Sequence, residues 1–391
     1  MVNEEGIKNP ERFLKAPLFS KDEAVKAMDY VAEKTRENTN DFTDKFPSSA
    51  SSGLMYGKID NNDWTNGFFT GLLWLCYEYT GEIKFKKTAE LQCESFKNRI
   101  ENKISVDHHD MGFLYSPSCV AGYNITNSPD MKNSAVSAAN QLITRFREKG
   151  EFIQAWGELG PQETNRMIID CMNNLPLLFW ASDVTGDKKY SAVAKKHAIT
   201  TLKNIVRKDA STHHTFYFDV ETGKPLKGVT SQGYSDDSAW ARGQAWGISG
   251  FSIAYRYTKI AEFTDVCCKI ANFFLNRLPG DYIPYWDLIF DDMSNQERDS
   301  SAAAIAVCGL IELSGQNVGK YKPVYDGAIS AVLRSLTDNY TTKNEKSNGI
   351  LQHGVYNKPE KIGVDECMIW GDYYYAEALM HIINPKRKSC W

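Results

Sequence analysis

The sequence predicts an all-α fold, a single (α/α)6 barrel of six helical hairpins, and three observations carry that prediction. Apolar residues recur at helical spacing along most of the 391 residues, whereas strand-like alternation is confined to short runs such as HTFYFDV at 214–220 and YIPYWDLIF at 282–290. The helical runs come in pairs joined by short connectors, and no Pro/Gly/Ser-rich linker interrupts them. Twelve runs can be counted, which makes six hairpins, although an open helical solenoid would leave much the same string.

In chain order the expected helices are 20–38, 64–80, 83–101, 111–123, 131–149, 164–185, 187–207, 239–258, 260–278, 299–314, 319–339 and 371–383. The second and third meet at Thr-Gly, as do the sixth and seventh. Gly81 and Gly186 suit the left-handed position that ends a helix, and Glu82 and Asp187 suit the first turn of the next. The helix at 111 follows VDHHD, where Asp107 is placed to cap it. The helix from 239 carries Arg242 and Trp246 four residues apart, hence on one face. With no internal boundary, residues 1–391 read as one catalytic domain.

Composition excludes several classes. A net charge of −4 with interleaved signs offers no basic stripe for nucleic acid. No run approaches a membrane span and the start lacks a secretory pattern, so a cytoplasmic location is expected. Nine scattered Cys without a CxxC pair read as buried thiols in a reducing compartment.

Polar and aromatic clusters precede successive helices: NNDWTNGFF at 61–69, DHHDMGF at 107–113, NRMIIDCMNN at 165–174, YSDDSAWARGQAW at 234–246 and GVDECMIWGDYYY at 363–375. In a barrel of hairpins such entrances converge on one end, so one polar cleft accounts for all of them. The DHHD run lacks the usual metal-ligand spacings, and no metal or other cofactor is expected. Asp170 is a carboxylate in an apolar run, where burial raises the pKa toward that of a general acid, and Asn173 and Asn174 add further polar groups to that run. Arg242 can clamp a carboxylate and Trp246 can stack on a sugar ring; the plainer alternatives are an ion pair and a core indole.

Taken together, DWTNGFFTGLLWL, DHHDMGFLYSPSCVAGY, IIDCMNNLPLLFWAS, STHHTFYFD, TSQGYSDDSAWARGQAWG and HGVY…GVDECMIWGDYYYAEAL resemble unsaturated glucuronyl hydrolases, glycoside hydrolase family 88, over nearly the whole chain. The resemblance implies an (α/α)6 barrel that releases a 4,5-unsaturated uronic acid from the non-reducing end of lyase-generated disaccharides and oligosaccharides by hydrating the C4=C5 vinyl ether, without a metal. It implies that Asp170 is the proton donor and Asp110 a second essential carboxylate. It further implies that Arg242, Trp246, Gly228 and Thr230 resemble substrate-binding positions and that Trp64, His109, Trp156, His214 and Gln232 resemble residues lining the subsite. Some members acting on sulfated disaccharides carry Ser-x-x-Ser-x-Lys after HGVY; here NKPEKI puts Asn357, Glu360 and Ile362 there, next to Tyr356, and predicts a preference for substrates unsulfated at that point. A monomer or weak homodimer is expected. The alternatives are an unsaturated rhamnogalacturonyl hydrolase and a barrel that only binds acidic oligosaccharides.

Overall fold

Six helices that are apolar nearly all round and six that are amphipathic sort themselves into two concentric layers. In the computed structural model, which describes residues 2, 3 and 5–391, the inner helices are Asn66–Thr80, Met111–Tyr115 with its continuation, Leu175–Thr185, Ala241–Thr258, Ser300–Ser314 and Ile369–Ile383. Each packs on the next, and the last packs back on Asn66–Thr80, closing the ring. The outer helices are Lys21–Asn38, Ile83–Glu101, Pro129–Ile143, Lys189–Asn204, Ala261–Leu275 and Lys322–Asn339. The first outer helix lies against the last inner one, so the two ends of the chain seal the same hairpin. This is the (α/α)6 barrel, not the open solenoid.

Burial follows the layers. Every residue of the inner helix from Asn66 to Cys76 is buried, whereas outer Lys21–Asn38 buries one stripe, Ala24, Ala27, Met28, Val31, Ala32 and Thr35. Close approach of inner helices needs small residues: a Cβ at Gly309 would lie 2.6 Å from the Ser249 backbone nitrogen. Gly81 and Gly186 end their helices with φ of 73° and 77°, as expected.

Several expected boundaries are corrected. The helix expected over 164–185 begins only at Leu175, with Pro176 in its first turn. The preceding residues form a strand, Arg166–Ile168, and a 3-10 turn, Ile169–Asn173. Tertiary pairing overrides helical periodicity there: Met167 pairs with Phe216 in a three-stranded antiparallel sheet of Arg166–Ile168, Thr215–Phe218 and Pro225–Val229. The run at 282–290 makes only isolated bridges, Trp240 with Asp287 and Tyr285 with Arg298. The helix expected at 131–149 spans Pro129–Ile143, capped by the Ser128 side chain, and the one at 111 runs on through a π turn, Ser116–Val120, to Thr126. Asp107 caps nothing; its carboxylate is turned away to Arg145. The nine Cys are unbridged, and all but Cys268 and Cys308 are buried. Among the described residues, no helix is long and apolar enough to cross a membrane.

Candidate active site

Because the inner helices run the same way around the ring, the residues that precede or open them gather at one end. Trp64, Asp110, Asp170, Arg242, Asp299 and Trp370 all occupy such positions. The positive ends of the inner-helix dipoles face that end too, which suits an anionic ligand.

At its centre one oxygen each of Asp110 and Asp170 and one nitrogen of His109 lie within 4.8 Å of one another. His109 Nε2 is 3.4 Å from Asp110 Oδ1 and 3.6 Å from Asp170 Oδ1. Asp110 is buried, while the Asp170 side chain keeps 19% of its surface toward the cleft. Asp170 Oδ1 and both ring nitrogens of His109 are buried without a hydrogen-bond partner in the protein, so the arrangement has unspent polar capacity at its heart. Among the described residues it is also the one trio with donor atoms close enough to hold a cation, but two carboxylates and a neutral imidazole equally form an acid–base centre.

The two carboxyls are driven apart. Burial, then the charge of Asp110, push Asp170 well above its ordinary value, only partly offset by Arg242. For Asp110 burial acts upward, but His109, His108 and the Trp156 side chain outweigh it, and the carboxyl lies below its ordinary value. Burial pulls His109 down to about 4, so its ring is neutral at pH 7. The two shifts run in opposite directions, Asp170 up and Asp110 down, and such a division lets one site supply an acid and an anion.

The walls are aromatic. Trp156, 40% exposed, lies flat on His108 with centroids 4.2 Å apart. His108 is held from below: Nε2 faces the Ser105 carbonyl at 2.9 Å, and Nδ1 accepts the Asp110 N–H at 3.1 Å, which fixes the proton on Nε2. Opposite, Trp64 donates to the Tyr356 hydroxyl at 3.0 Å and stacks on Trp370. His214 is buried, its pKa lowered to about 3 by burial, and its carbonyl accepts from Ile169, the residue before Asp170.

Arg242 and Trp246 depart from expectation. The Arg242 guanidinium packs over Trp240 and Trp370, and its terminal nitrogens bond Asp299, the Val355 carbonyl, Gln232 Oε1 and the Tyr356 carbonyl. No fork is left for a ligand carboxylate; the side chain instead pins Gln232 and the hairpin Gly354–Asn357/Ile362–Glu366 against the cleft. Trp246 is 1% exposed and packs on Phe113 and Tyr374, so its ring underlies the site and offers no face for stacking.

The remaining predicted residues lie in the segments leading to these. Gly228 pairs with Phe216 and must be glycine because a Cβ would meet the His213 ring at 2.3 Å. Thr230 Oγ1 accepts from Gly233 N–H, shaping the turn that presents Gln232. Asn357 is buried and Glu360 exposed at the tip of the 354–366 hairpin. Sequence reasoning missed His108, Trp240, Asp299 and Trp370. Asp299 carried a signal, since it caps the helix Ser300–Ser314 through the N–H groups of Ser301 and Ala302; the aromatics carried none that sets them apart from core residues.

A helical barrel whose open end holds two carboxyls shifted in opposite directions between aromatic walls is the apparatus of a glycoside hydrolase. The chain belongs to Glycosyl Hydrolase Family 88, whose model matches residues 36–384. It is 49% identical over 382 residues to the unsaturated chondroitin disaccharide hydrolase of Streptococcus pneumoniae, covering 97% of this chain and 96% of that one. Its structure superposes on that of the unsaturated glucuronyl hydrolase of Streptococcus agalactiae with a TM-score of 0.98 at 47% identity, covering 100% and 99% of the two chains. A mutant of that enzyme, complexed with dGlcA-GalNAc6S, matches with a TM-score of 0.90 at 44% identity over the same shares.

Proposed function

We propose that this chain removes a 4,5-unsaturated uronic acid from the non-reducing end of glycosaminoglycan-type disaccharides and oligosaccharides left by polysaccharide lyases. The observation that carries the reading is the divided pair, Asp170 at the cleft with its pKa raised well above the ordinary value beside a buried Asp110 whose pKa is lowered. Asp170 gives its proton to C4 of the vinyl ether. Water then adds at C5, losing its proton to the Asp170 carboxylate just formed. The resulting hemiketal opens to a ketone at C5, and the hemiacetal at C1 expels the next sugar as an alcohol. Asp110 accepts hydrogen bonds from the ring hydroxyls and steadies the positive charge that develops on the ring oxygen. Trp64, Trp156 and Tyr356 wall the sugar in, and His109 and His214 line it; Gly228, Thr230 and Gln232 shape the rim with Arg242, above a floor that includes Trp246.

Residues 1–391 act as one catalytic unit, which ring closure between Lys21–Asn38 and Ile369–Ile383 supports. A cytoplasmic monomer or weak homodimer fits lyase products imported as small sugars. Asn357 and Glu360 sit where a sulfate on the second sugar would approach, so the unsulfated disaccharide is the better substrate.

The test is the ultraviolet absorbance of C4=C5 in a lyase-generated disaccharide, which this protein should abolish as the free sugar appears. A saturated glucuronyl disaccharide should stay intact, having no vinyl ether to protonate. Cleavage of both would show ordinary displacement at the anomeric carbon, and cleavage of neither would leave a binding barrel.

A further inference from the structure

We infer that Asn174 is the positioning residue that holds Asp110 and Asp170 in register, the inference resting on the reading of those two as the catalytic pair. The two carboxylates come from different hairpins, and Asp110 opens its helix without a side-chain cap of its own. Asn174, fully buried at the entrance of the helix Leu175–Thr185, bridges them. Its Oδ1 accepts the Phe113 N–H at 2.8 Å, which ties down the turn that follows Asp110. Its Nδ2 faces both sides of the site, 3.5 Å from Asp110 Oδ1 and 3.4 Å from the Asp170 carbonyl. These last two are long for amide hydrogen bonds, as catalytic contacts often are before substrate binds. The amide lies on the same Asp110 oxygen that His109 Nε2 approaches to 3.4 Å, so it bears on where that carboxylate points.

A second observation points the same way. Gly112 packs directly on Asn174: a Cβ there would lie 2.4 Å from Asn174 Cα and 2.8 Å from its Oδ1. The chain after Asp110 thus forgoes a side chain where it meets this residue, which lets the asparagine backbone and amide come up directly against it. A carboxamide is required because the site needs an acceptor on one side and a donor on the other from one short side chain. Leucine or alanine would leave the Phe113 N–H buried without a partner, and aspartate would replace the donor with an anion facing Asp110.

The experiment measures kcat and KM on an unsaturated disaccharide for the wild type, Asn174→Ala and Asn174→Asp, and repeats Asn174→Ala in an Asp110→Asn background. Asn174→Ala should lose at least ~10-fold in kcat, the order expected when a reacting group is misplaced by a fraction of an ångström to 1 Å, while KM stays within about threefold. In the Asp110→Asn background the same change should cost less than about threefold, because the group it positions is already gone. Asn174→Asp keeps the acceptor for Phe113, so it should fold, and at pH 8 it should lose kcat in the same way. The inference is overturned if either variant of the active enzyme keeps wild-type kcat, or if the alanine change costs as much without Asp110 as with it, the mark of a purely structural role. A wild-type chain that leaves the disaccharide untouched would instead sink the functional reading on which this one stands.

Discussion

On the proposed mechanism most depends on Asp170, because it is the carboxyl whose pKa burial and the Asp110 charge raise and whose proton the reaction uses. Asp170→Asn preserves shape but has no proton to give; turnover should fall by at least ~10²-fold, the lower range for a general acid, while disaccharide binding measured by calorimetry survives. Near-normal turnover would move the proton donor elsewhere. The opposed shifts also set the pH profile. On the proposed mechanism activity needs Asp110 ionised and Asp170 protonated, so kcat/KM should fall in acid below the ordinary aspartate range and in alkali well above it. Since the charge of Asp110 helps raise Asp170, the residual activity of Asp110→Asn should show its alkaline limb at lower pH than the wild type. An unmoved limb would mean that burial alone sets the acid. A cation held by His109, Asp110 and Asp170 would need both carboxylates ionised, which removes the very proton this chemistry uses. Exhaustive chelation is therefore expected to leave turnover unchanged, and recovery only on adding a divalent ion would reverse that view.

At the scale of elements, the hairpin Gly354–Asn357/Ile362–Glu366 is the part most open to change of specificity. It is anchored from behind by Arg242 on the Val355 and Tyr356 carbonyls, so its tip can vary without moving the walls. Lys358 at that tip is bound to Glu297 and Asn357 Oδ1 accepts the Glu360 N–H, and the Glu360 side chain is exposed, at the position that the proposed function gives to an approaching sulfate. Repulsion across water is modest, so the expected preference for unsulfated over correspondingly sulfated disaccharide is about 10-fold in kcat/KM, shrinking at high salt. Glu360→Ser should narrow it. A preference for the sulfated sugar in the wild type would show that Lys358 leaves Glu297 or that Lys361 serves in its place. The strand Arg166–Ile168 shows the same dependence on context. Its periodicity reads as helix, yet pairing with Thr215–Phe218 turns it into the support that presents Asp170 beside His214.

For the whole molecule, what matters is that the ring is closed and its floor filled. Trp391 stacks on Tyr374 and meets Phe113 edge-on, while its indole N–H donates to Glu377 at 2.6 Å, so the last residues plug the barrel beneath the site. Burial acts to raise Glu377, but His381, Arg387 and Trp391 outweigh it and bring the carboxyl down to about 2 from 4.5. A depressed carboxyl stabilises the fold above its unfolded pKa, and that contribution is lost as pH falls from about 4.5 through about 2. By linkage it is worth about 3 kcal/mol at neutral pH. Glu377→Gln should therefore lower Tm at pH 7, with the gap to wild type narrowing in acid; a gap independent of pH would assign the loss to packing.

The sequence by itself determined the layers and the cleft. Helical periodicity, Thr-Gly ends at Gly81 and Gly186, and polar clusters before apolar runs are local signals; they gave paired helices and one polar end, while the family resemblance named Asp110, His109 and Asp170 and the structure closed the ring. What only the tertiary structure decided are the matters that depend on who sits opposite. Arg242 looked like a ligand clamp, yet acceptors from positions 232, 299, 355 and 356 use its donors. Trp246 looked like a stacking face, yet Phe113 and Tyr374 cover it, and Asp107 looked like a cap until Arg145 took its carboxylate. A side chain's chemistry is written at its own position. Whether that chemistry is spent inside the fold or left for a ligand depends on partners hundreds of residues away, and closing the ring is what brings them together.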